Sequence, residues 1–516
     1  MEVEIKMSQL VVLPLIVPFI VALLSIALRK TNYSDLVAVS GSLAYLGAVI
    51  MLSRRVLVEG PVTLQAGGWP APFGITLIAD SLSVLMLLLT SAVFVAVNIY
   101  SSGFIGQKGK RNGYYTFLHF MAAGMSGVFV TGDLFNLFVM FEIVLISSYA
   151  LIAYTSDKDS LLVSMSYVVL NLIGSSLMLI SIGGLYAVTG TLNIADMASV
   201  LSQGSVNMAP VLAFSLLLFC VFGIKSGLVP FHFWAPPVYS TSPPPVAAFM
   251  AGISKKVGIY AVIRIYFTVF SAASIPENAL LFAGEPVNTA VAYLAGAMAV
   301  ATLLLGGFSA LHRQSIDRLL SYSSVGQIGF IFIPLSIAML EGSNVAMTAA
   351  LVYLVSHGLA KPALFMISGL IERMTGTSKL EDLGGLSESS IVFSASFFVS
   401  AFSLVGIPPL LGFFGKMLVF KSAIVSGNFL LLTTLLAGAV ITLMYFSRTW
   451  LEVFFGEPVD YARSEVSKKE VFAVAVLTVL IVVLGVGFEP LYQLVEKASE
   501  AALNTEVYVE TVMEES

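Results

Sequence analysis

The stretch VFGIKSGLVPFHFWAPP, Val221 to Pro237, decides how this chain is read. An apolar run, APVLAFSLLLFCVFGI (Ala209–Ile224), leads into it, and another begins at Val246. Between them stand Lys225, His232, Pro230, Pro236 and Pro237. None of these suits the middle of a lipid-facing helix. Their meaning turns on whether the flanking runs cross a membrane.

Composition answers that question. Of 516 residues, 58% are hydrophobic and 11% are Asp, Glu, Lys or Arg, against about 25% charged in a soluble domain. Mean hydropathy is +0.96. The apolar runs are long rather than short and alternating, which points to an all-α polytopic membrane protein and not a barrel. The first run, from Gln9 to Leu28, is too long for a signal peptide and lacks a basic start and a small-residue cleavage site, so it reads as the first span. At roughly 20 apolar residues per crossing there are about fourteen spans. Their centres fall near Val17, Leu43, Leu88, Gly124, Ile143, Gly174, Leu217, Gly258, Met298, Gly329, Tyr353, Ser400, Ala437 and Leu480. In the turn VTGDLF, Asp133 is placed to cap the fifth span. The longest polar connection, FFGEPVDYARSEVSKKE (Phe454–Glu470), precedes the last span, and the acidic tail from Lys497 to Ser516 reads as mobile.

Several functions are disfavoured at once. Cys220 is the single cysteine and the four histidines are widely spaced, so no disulfide, iron–sulfur centre, metal site or other cofactor is expected, and any electron transfer belongs to another chain. Net charge is −5 without a basic patch, so no nucleic-acid partner is expected. Loops after odd-numbered spans hold roughly a dozen basic residues, among them Arg29, Lys30, Lys108, Lys110, Arg111, Arg313, Arg318, Arg373, Lys468 and Lys469. The other side has Lys6, Arg54, Arg55 and Lys497. The odd loops therefore read as cytoplasmic, with both termini outside the cell membrane.

Two spans are interrupted by proline: the opening stretch, and FSLVGIPPLLGFFGKMLVFK (Phe402–Lys421) with Pro408 and Pro409. Proline frees a carbonyl, which lipid tolerates only beside protein or a wet cavity. Breaks at corresponding places in two halves suggest an inverted repeat with its working site at the breaks.

Charges inside the spans are the candidate site, because each costs a few kcal/mol or more at mid-bilayer. Glu142 lies in LFNLFVMFEIVLISSYALIA, about 12 Å from the span's start at 1.5 Å per residue, and is expected to pair with Lys225. Lys255 and Lys256 sit near the centre of VAAFMAGISKKVGIYAVIRIYFTVF. Adjacent helical positions differ by about 100°, so one should face the bundle interior and the other a neighbouring loop or cavity. His357 and Lys361, four apart in LVSHGLAKPALFMISG, share a helix face, with Pro362 expected to open the backbone beside them. Lys416 follows the second break. A lysine, glutamate and histidine row spread over five spans fits proton transfer better than a substrate pocket. Burial disfavours the charged form of a lysine and a nearby carboxylate favours it, so moving Glu142 relative to Lys225 could load or release a proton.

At these residues the chain resembles the antiporter-like subunits shared by respiratory complex I, membrane-bound hydrogenases and multisubunit Mrp cation/proton antiporters. The motifs GDLFNLFVMFEIVLISSYALI, PFHFWAPPVYSTSPPPVAAFMAGISKKVGIYAVIR, DRLLSYSSVGQIGFI, HGLAKPALF and GIPPLLGFFGKMLVFKSAI look most like the D-type member of the Mrp antiporters and its hydrogenase relatives. The resemblance implies fourteen helices, with spans seven and twelve discontinuous and two inverted five-helix repeats. These divide the chain into 1–110, the repeats 111–272 and 286–455, and 456–516 with the last helix and the tail. It also implies that Glu142, Lys225, Lys256, the His357–Lys361 pair and Lys416 move protons, Lys416 standing where some members have glutamate. The implied partners are other membrane subunits, the lipid bilayer and protons, with Na+ as the second candidate ion. A stand-alone carrier of a small solute and a structural scaffold are the rival readings; the first predicts one central pocket, the second indifference to loss of the lysines.

Overall fold

The structure, a computed structural model, describes residues 8–155, 158–204, 206–271, 287–389, 391–457, 459 and 466–513. It is a helical bundle in which the more apolar helices lie outside and the polar-bearing ones inside. Two helices, α1 (Leu13–Leu28) and α2 (Ser34–Glu59), lead to an antiparallel hairpin, β1 (Val62–Gln65) and β2 (Thr76–Ala79), with Val62 opposite Ala79. Helices α3 (Ser81–Phe104), α4 (Tyr114–Val130), α5 (Leu134–Ile152) and α6 (Lys158–Thr189) follow, then the short α7 (Ile194–Ser202). The seventh expected span is two pieces, α8 (Met208–Ser226) and α9 (Ala235–Thr241). After these come α10 (Pro244–Thr268), α11 (Val287–Leu311), α12 (Ile316–Glu341) and α13 (Asn344–Thr375). The twelfth is again two pieces, α14 (Ile391–Val405) and α15 (Leu411–Val425), before α16 (Phe429–Phe455), α17 (Lys468–Val486), α18 (Phe488–Leu503) and α19 (Thr505–Met513).

Among the described residues, 12 helical segments are long and apolar enough to cross a membrane. Two expected spans fall short of that length: α4, with 17 residues, and the α14–α15 pair, with 15 in each piece. Both interruptions lie where the prolines predict. In α10, α12 and α13 the most apolar stretches are 94%, 94% and 100% buried, against 33% in Gln9–Leu28 and in α16. Of these, α10 carries Lys255 and Lys256 and α13 carries His357 and Lys361, so protein rather than lipid solvates these groups.

Local signals explain several boundaries. Asp133 caps α5 by accepting from the Asn136 N–H at 2.7 Å, as its place in the turn predicts. Asp80 caps α3 through the Ser83 N–H at 2.9 Å. Gly227, at φ 72°, ends α8 in the left-handed conformation that glycine adopts without strain. Pro362, by contrast, does not interrupt its helix: α13 runs unbroken from Asn344 to Thr375. Its ring instead seats against Gly252, where an added Cβ would lie 2.3 Å from the ring Cγ.

From Lys497 to Met513 the tail is helical and packed rather than loose, contrary to the expectation of mobility, and residues 514–516 of that tail lie outside the described residues. Leu491, Val495, Ala498 and Ala502 are buried along one stripe of α18 at helical spacing, an amphipathic pattern that docks the helix on α3 and α13. Its continuation α19 covers a buried ion pair. Both carboxylate oxygens of Asp80 accept from Arg264 Nη2, at 2.8 and 2.7 Å, and the Tyr508 ring lies 4.7 Å from the guanidinium carbon. Thr505 Oγ1 donates to the Phe267 carbonyl at 2.9 Å. Gln9–Val12 and α19 both meet the hairpin, so the described ends of the chain share one face of the bundle.

Asp80→Asn leaves the Arg264 charge buried without its counter-ion. The expected cost is about 3–5 kcal/mol, read as a lower midpoint of thermal unfolding in detergent. A midpoint equal to that of the unsubstituted protein would show that the pair does not hold this face together.

Candidate functional site

The first cluster forms where α8 stops. Lys225 lies in the last turn of α8 and is buried. A cation is favoured there, because the last carbonyls of a helix lack partners and carry the negative end of its dipole. The Ile224 carbonyl is taken by Trp234 Nε1 at 2.9 Å from beyond the break. The Lys225 Nζ donates to Asn171 Oδ1 at 3.3 Å and to Ser175 Oγ at 3.4 Å, and Ser175 Oγ donates to the Glu142 carboxylate. The pairing expected of Glu142 and Lys225 is thus made through a serine bridge rather than by direct contact. The reason is steric: α6 packs against both α5 and α8 and puts its own polar side chains between them. A small cavity of about 10 Å³ adjoins Lys225, bordered by Asn171, Trp234 and Ser254, close to the least volume that holds one water. His232 sits half-buried in the linking turn.

The central cluster depends on a widened turn. Met250–Ser254 forms a π-type turn inside α10, immediately before the two lysines, a departure from α geometry common at functional sites. Lys255 and Lys256 are both fully buried and, as their angular separation requires, reach different elements. Lys256 Nζ donates to the Ala251 carbonyl at 2.9 Å and lies 2.6 Å from His357 Nδ1. Lys255 Nζ lies 3.4 Å from Ser324 Oγ and 4.9 Å from the Tyr239 ring centroid.

His357 and Lys361 share a face of α13 but divide their contacts. His357 meets α10, whereas Lys361 turns to α12, donating to Ser323 Oγ at 2.8 Å and the Leu320 carbonyl at 3.2 Å. From Ser323 a hydrogen-bonded chain continues. Ser323 Oγ and Tyr445 Oη are 2.8 Å apart, Gln327 Nε2 donates to Tyr445 Oη at 2.9 Å, and Tyr353 Oη donates to Gln327 Oε1. The Tyr353 ring packs on Phe330, and Lys416 Nζ lies 4.5 Å from the centroid of Phe330. Lys416 also donates to the Val405 carbonyl at 3.1 Å, at the open end of α14. Each break therefore holds a lysine at the end of the half-helix that precedes it.

Sequence reasoning does not single out Asn171, Ser175, Ser323, Gln327, Tyr353 or Tyr445. For four of them a signal exists. Asn171 and Ser175, and likewise Ser323 and Gln327, are polar pairs four apart in otherwise apolar spans, which sets each pair on one face. The two tyrosines look like ordinary packing residues in the sequence.

The arrangement consists of amines, an imidazole, amides and hydroxyls with, at one end, a partly exposed carboxylate; the five lysines and His357 are buried. Residues 131–442, which enclose nearly all of it, match the family described as "NADH:quinone oxidoreductase/Mrp antiporter, TM". The chain belongs to that family. A curated relative, the D-type member of a Na(+)/H(+) antiporter from Bacillus subtilis, is 34% identical over 514 residues, covering 99% of this chain and 100% of the relative. Among solved structures, a chain of the Mrp complex from Dietzia sp. DQ12-45-1b superposes with a TM-score of 0.87 at 25% identity, over 98% of this chain and 99% of that one. A chain of an archaeal membrane-bound sulfane sulfur reductase, a respiratory membrane complex, gives 0.89 at 27%, over 98% and 100%. The protein is accordingly a multi-pass, antiporter-like membrane subunit of the Mrp and complex I type.

Ser175→Ala removes the hydroxyl between carboxylate and ammonium. Ion translocation by the assembled complex should fall on the order of tenfold, equivalent to about 1.4 kcal/mol in a barrier, with Ser175→Thr close to normal. Equal rates in vesicles for Ala and wild type would remove the bridge from the functional site.

Proposed function

We propose that this subunit moves protons along the row, entering near Glu142 and Lys225, passing Lys256 to His357 and Lys361, and leaving near Lys416. The contact that supports this most directly is the 2.6 Å approach of Lys256 Nζ to His357 Nδ1. It joins the segment 111–272 to the segment 286–455, which we take as two inverted repeats, each with its own broken span. A lysine ammonium donates and a neutral imidazole nitrogen accepts, so a proton can cross between the halves without a large displacement of either helix. The Ser323–Tyr445–Gln327–Tyr353 chain extends the route from Lys361 towards Lys416.

The parent assembly in this proposal is a multisubunit membrane complex, of the Na+/H+ antiporter type that its relatives' names describe. Other membrane subunits are its partners. It acts in transport, and any redox chemistry in the complex takes place in partner chains. The membrane is the cell membrane, with both termini outside. The shared face of the chain ends supports that placement, as do the loop residues Lys110, Arg313 and Arg373 between odd and even spans. Protons, and Na+ in the whole complex, are the transported ions.

Substitution at the first break tests the reading. Lys225→Met keeps length and apolar bulk, so the protein should assemble normally yet lose most proton movement. Lys225→Arg keeps the charge but stays protonated at any workable pH, so it should not restore the activity. Glu142→Gln should likewise cut translocation while assembly persists. The measurement is proton or Na+ uptake into vesicles that hold the whole complex, normalised to the assembled amount. Wild-type uptake in both Lys225 variants would overturn the mechanism.

A further inference from the structure

Lys255 is as deeply buried as Lys256, yet the route above does not use it. Its surroundings differ from those of its neighbour. Behind it is the first break: a Cβ added to Gly227 would lie 3.6 Å from Lys255 Nζ. Ahead of it is α12, where Ser324 Oγ lies at 3.4 Å. Ser324 is the chain neighbour of Ser323, the hydroxyl that receives Lys361 at 2.8 Å. Among the described residues no hydrogen bond joins Ser324 to Ser323, which are chain neighbours only, and the route through His357 has a gap of its own. Among the described residues His357 Nε2 is buried without a hydrogen-bond partner, and His357 and Lys361 meet different helices.

We propose that Lys255 is a second proton carrier between the two halves, linking the broken seventh span to Lys361 through the Ser324–Ser323 edge of α12. This rests on the proposed proton route and adds a branch to it. The proton leaves the Lys255 ammonium, which becomes a neutral amine, and is taken up by the neutral amine of Lys361, so no co-reactant is required. Adjacency to Lys256 supplies the drive. Two like charges side by side in a buried site are costly, and no carboxylate ion pair to either lysine is present among the described residues. A proton arriving at one lysine therefore expels a proton from the other. The competing role is a structural clamp, in which the ammonium over the Tyr239 ring pins α9 to α10.

Arginine separates the two roles, because it retains the ring contact and donates to Ser324 but does not release its proton. The experiment is proton uptake by the whole complex in vesicles, normalised to the assembled amount, for Lys255→Met, Lys255→Arg, Ser324→Ala and Lys225→Met. Uptake should fall several-fold in Lys255→Met, with the His357 route carrying the remainder, stay at that level in Lys255→Arg, and fall by no more than that in Ser324→Ala, with assembly maintained. Wild-type uptake in Lys255→Met, or restored uptake in Lys255→Arg, overturns the carrier role. If neither Lys255 variant assembles, Ser324→Ala decides, and wild-type uptake there refutes the branch. Loss in Lys225→Met alongside normal uptake in Lys255→Met leaves the main route standing without the branch; normal uptake in both rejects the main route itself.

Discussion

Burying an ammonium group far from water is the constraint on which this architecture depends. Lys225, Lys255, Lys256, Lys361 and Lys416 all lie inside the bundle, and each has been given an oxygen, an imidazole or an aromatic face. Lipid offers none of these. The helices that carry the central lysines must therefore be enclosed by other helices, and that need accounts for the contrast between the inner α10, α12 and α13 and the outer α1 and α16. The amphipathic α18 adds to the same wall.

The broken helices meet the constraint in a second way. A continuous helix consumes its own carbonyls, whereas one that stops in mid-membrane leaves the last turn unpaired and negative. Val405 O is such a carbonyl and holds Lys416; Ile224 O, which also accepts from the Gly227 N–H of the turn, takes Trp234 as a further donor beside Lys225. The widened turn at Met250–Ser254 does related work without a break, since Lys256 reaches back to the Ala251 carbonyl. Gly252 makes that turn compatible with packing, because only a residue without a Cβ admits the Pro362 ring so closely.

Much of this is legible in the sequence, for reasons that differ between features. Apolar run length locates the spans, and proline locates both interruptions, because lipid enforces those rules strongly. Seven ionisable residues, from Glu142 to Lys416, stand out since each breaks an apolar pattern. What they touch cannot be read in the same way. The serine bridge at Ser175 depends on α6 passing between α5 and α8, a tertiary fact that no local pattern encodes. Pro362 reads as a helix opener, yet it remains within α13, where the neighbouring α10 packs against it. The acidity of the tail suggests mobility and hides the stripe formed by Leu491, Val495, Ala498 and Ala502.

The ion pair between Asp80 and Arg264 has a consequence for biogenesis. Its partners are 184 residues apart, so at roughly 5–20 residues per second a ribosome makes the aspartate about 10–40 s before the arginine. Throughout that interval the carboxylate must be accommodated without its counter-ion. Its position suits the wait: it precedes the first turn of α3, where the Ser83 N–H binds it and the positive end of the helix dipole favours it. The same carboxylate one or two turns deeper would present hydrocarbon with a bare charge while the span was being inserted. The cap that begins the helix thus also serves as a temporary partner during synthesis, and α19, which follows all the described spans in the chain, closes over the pair only after they have emerged.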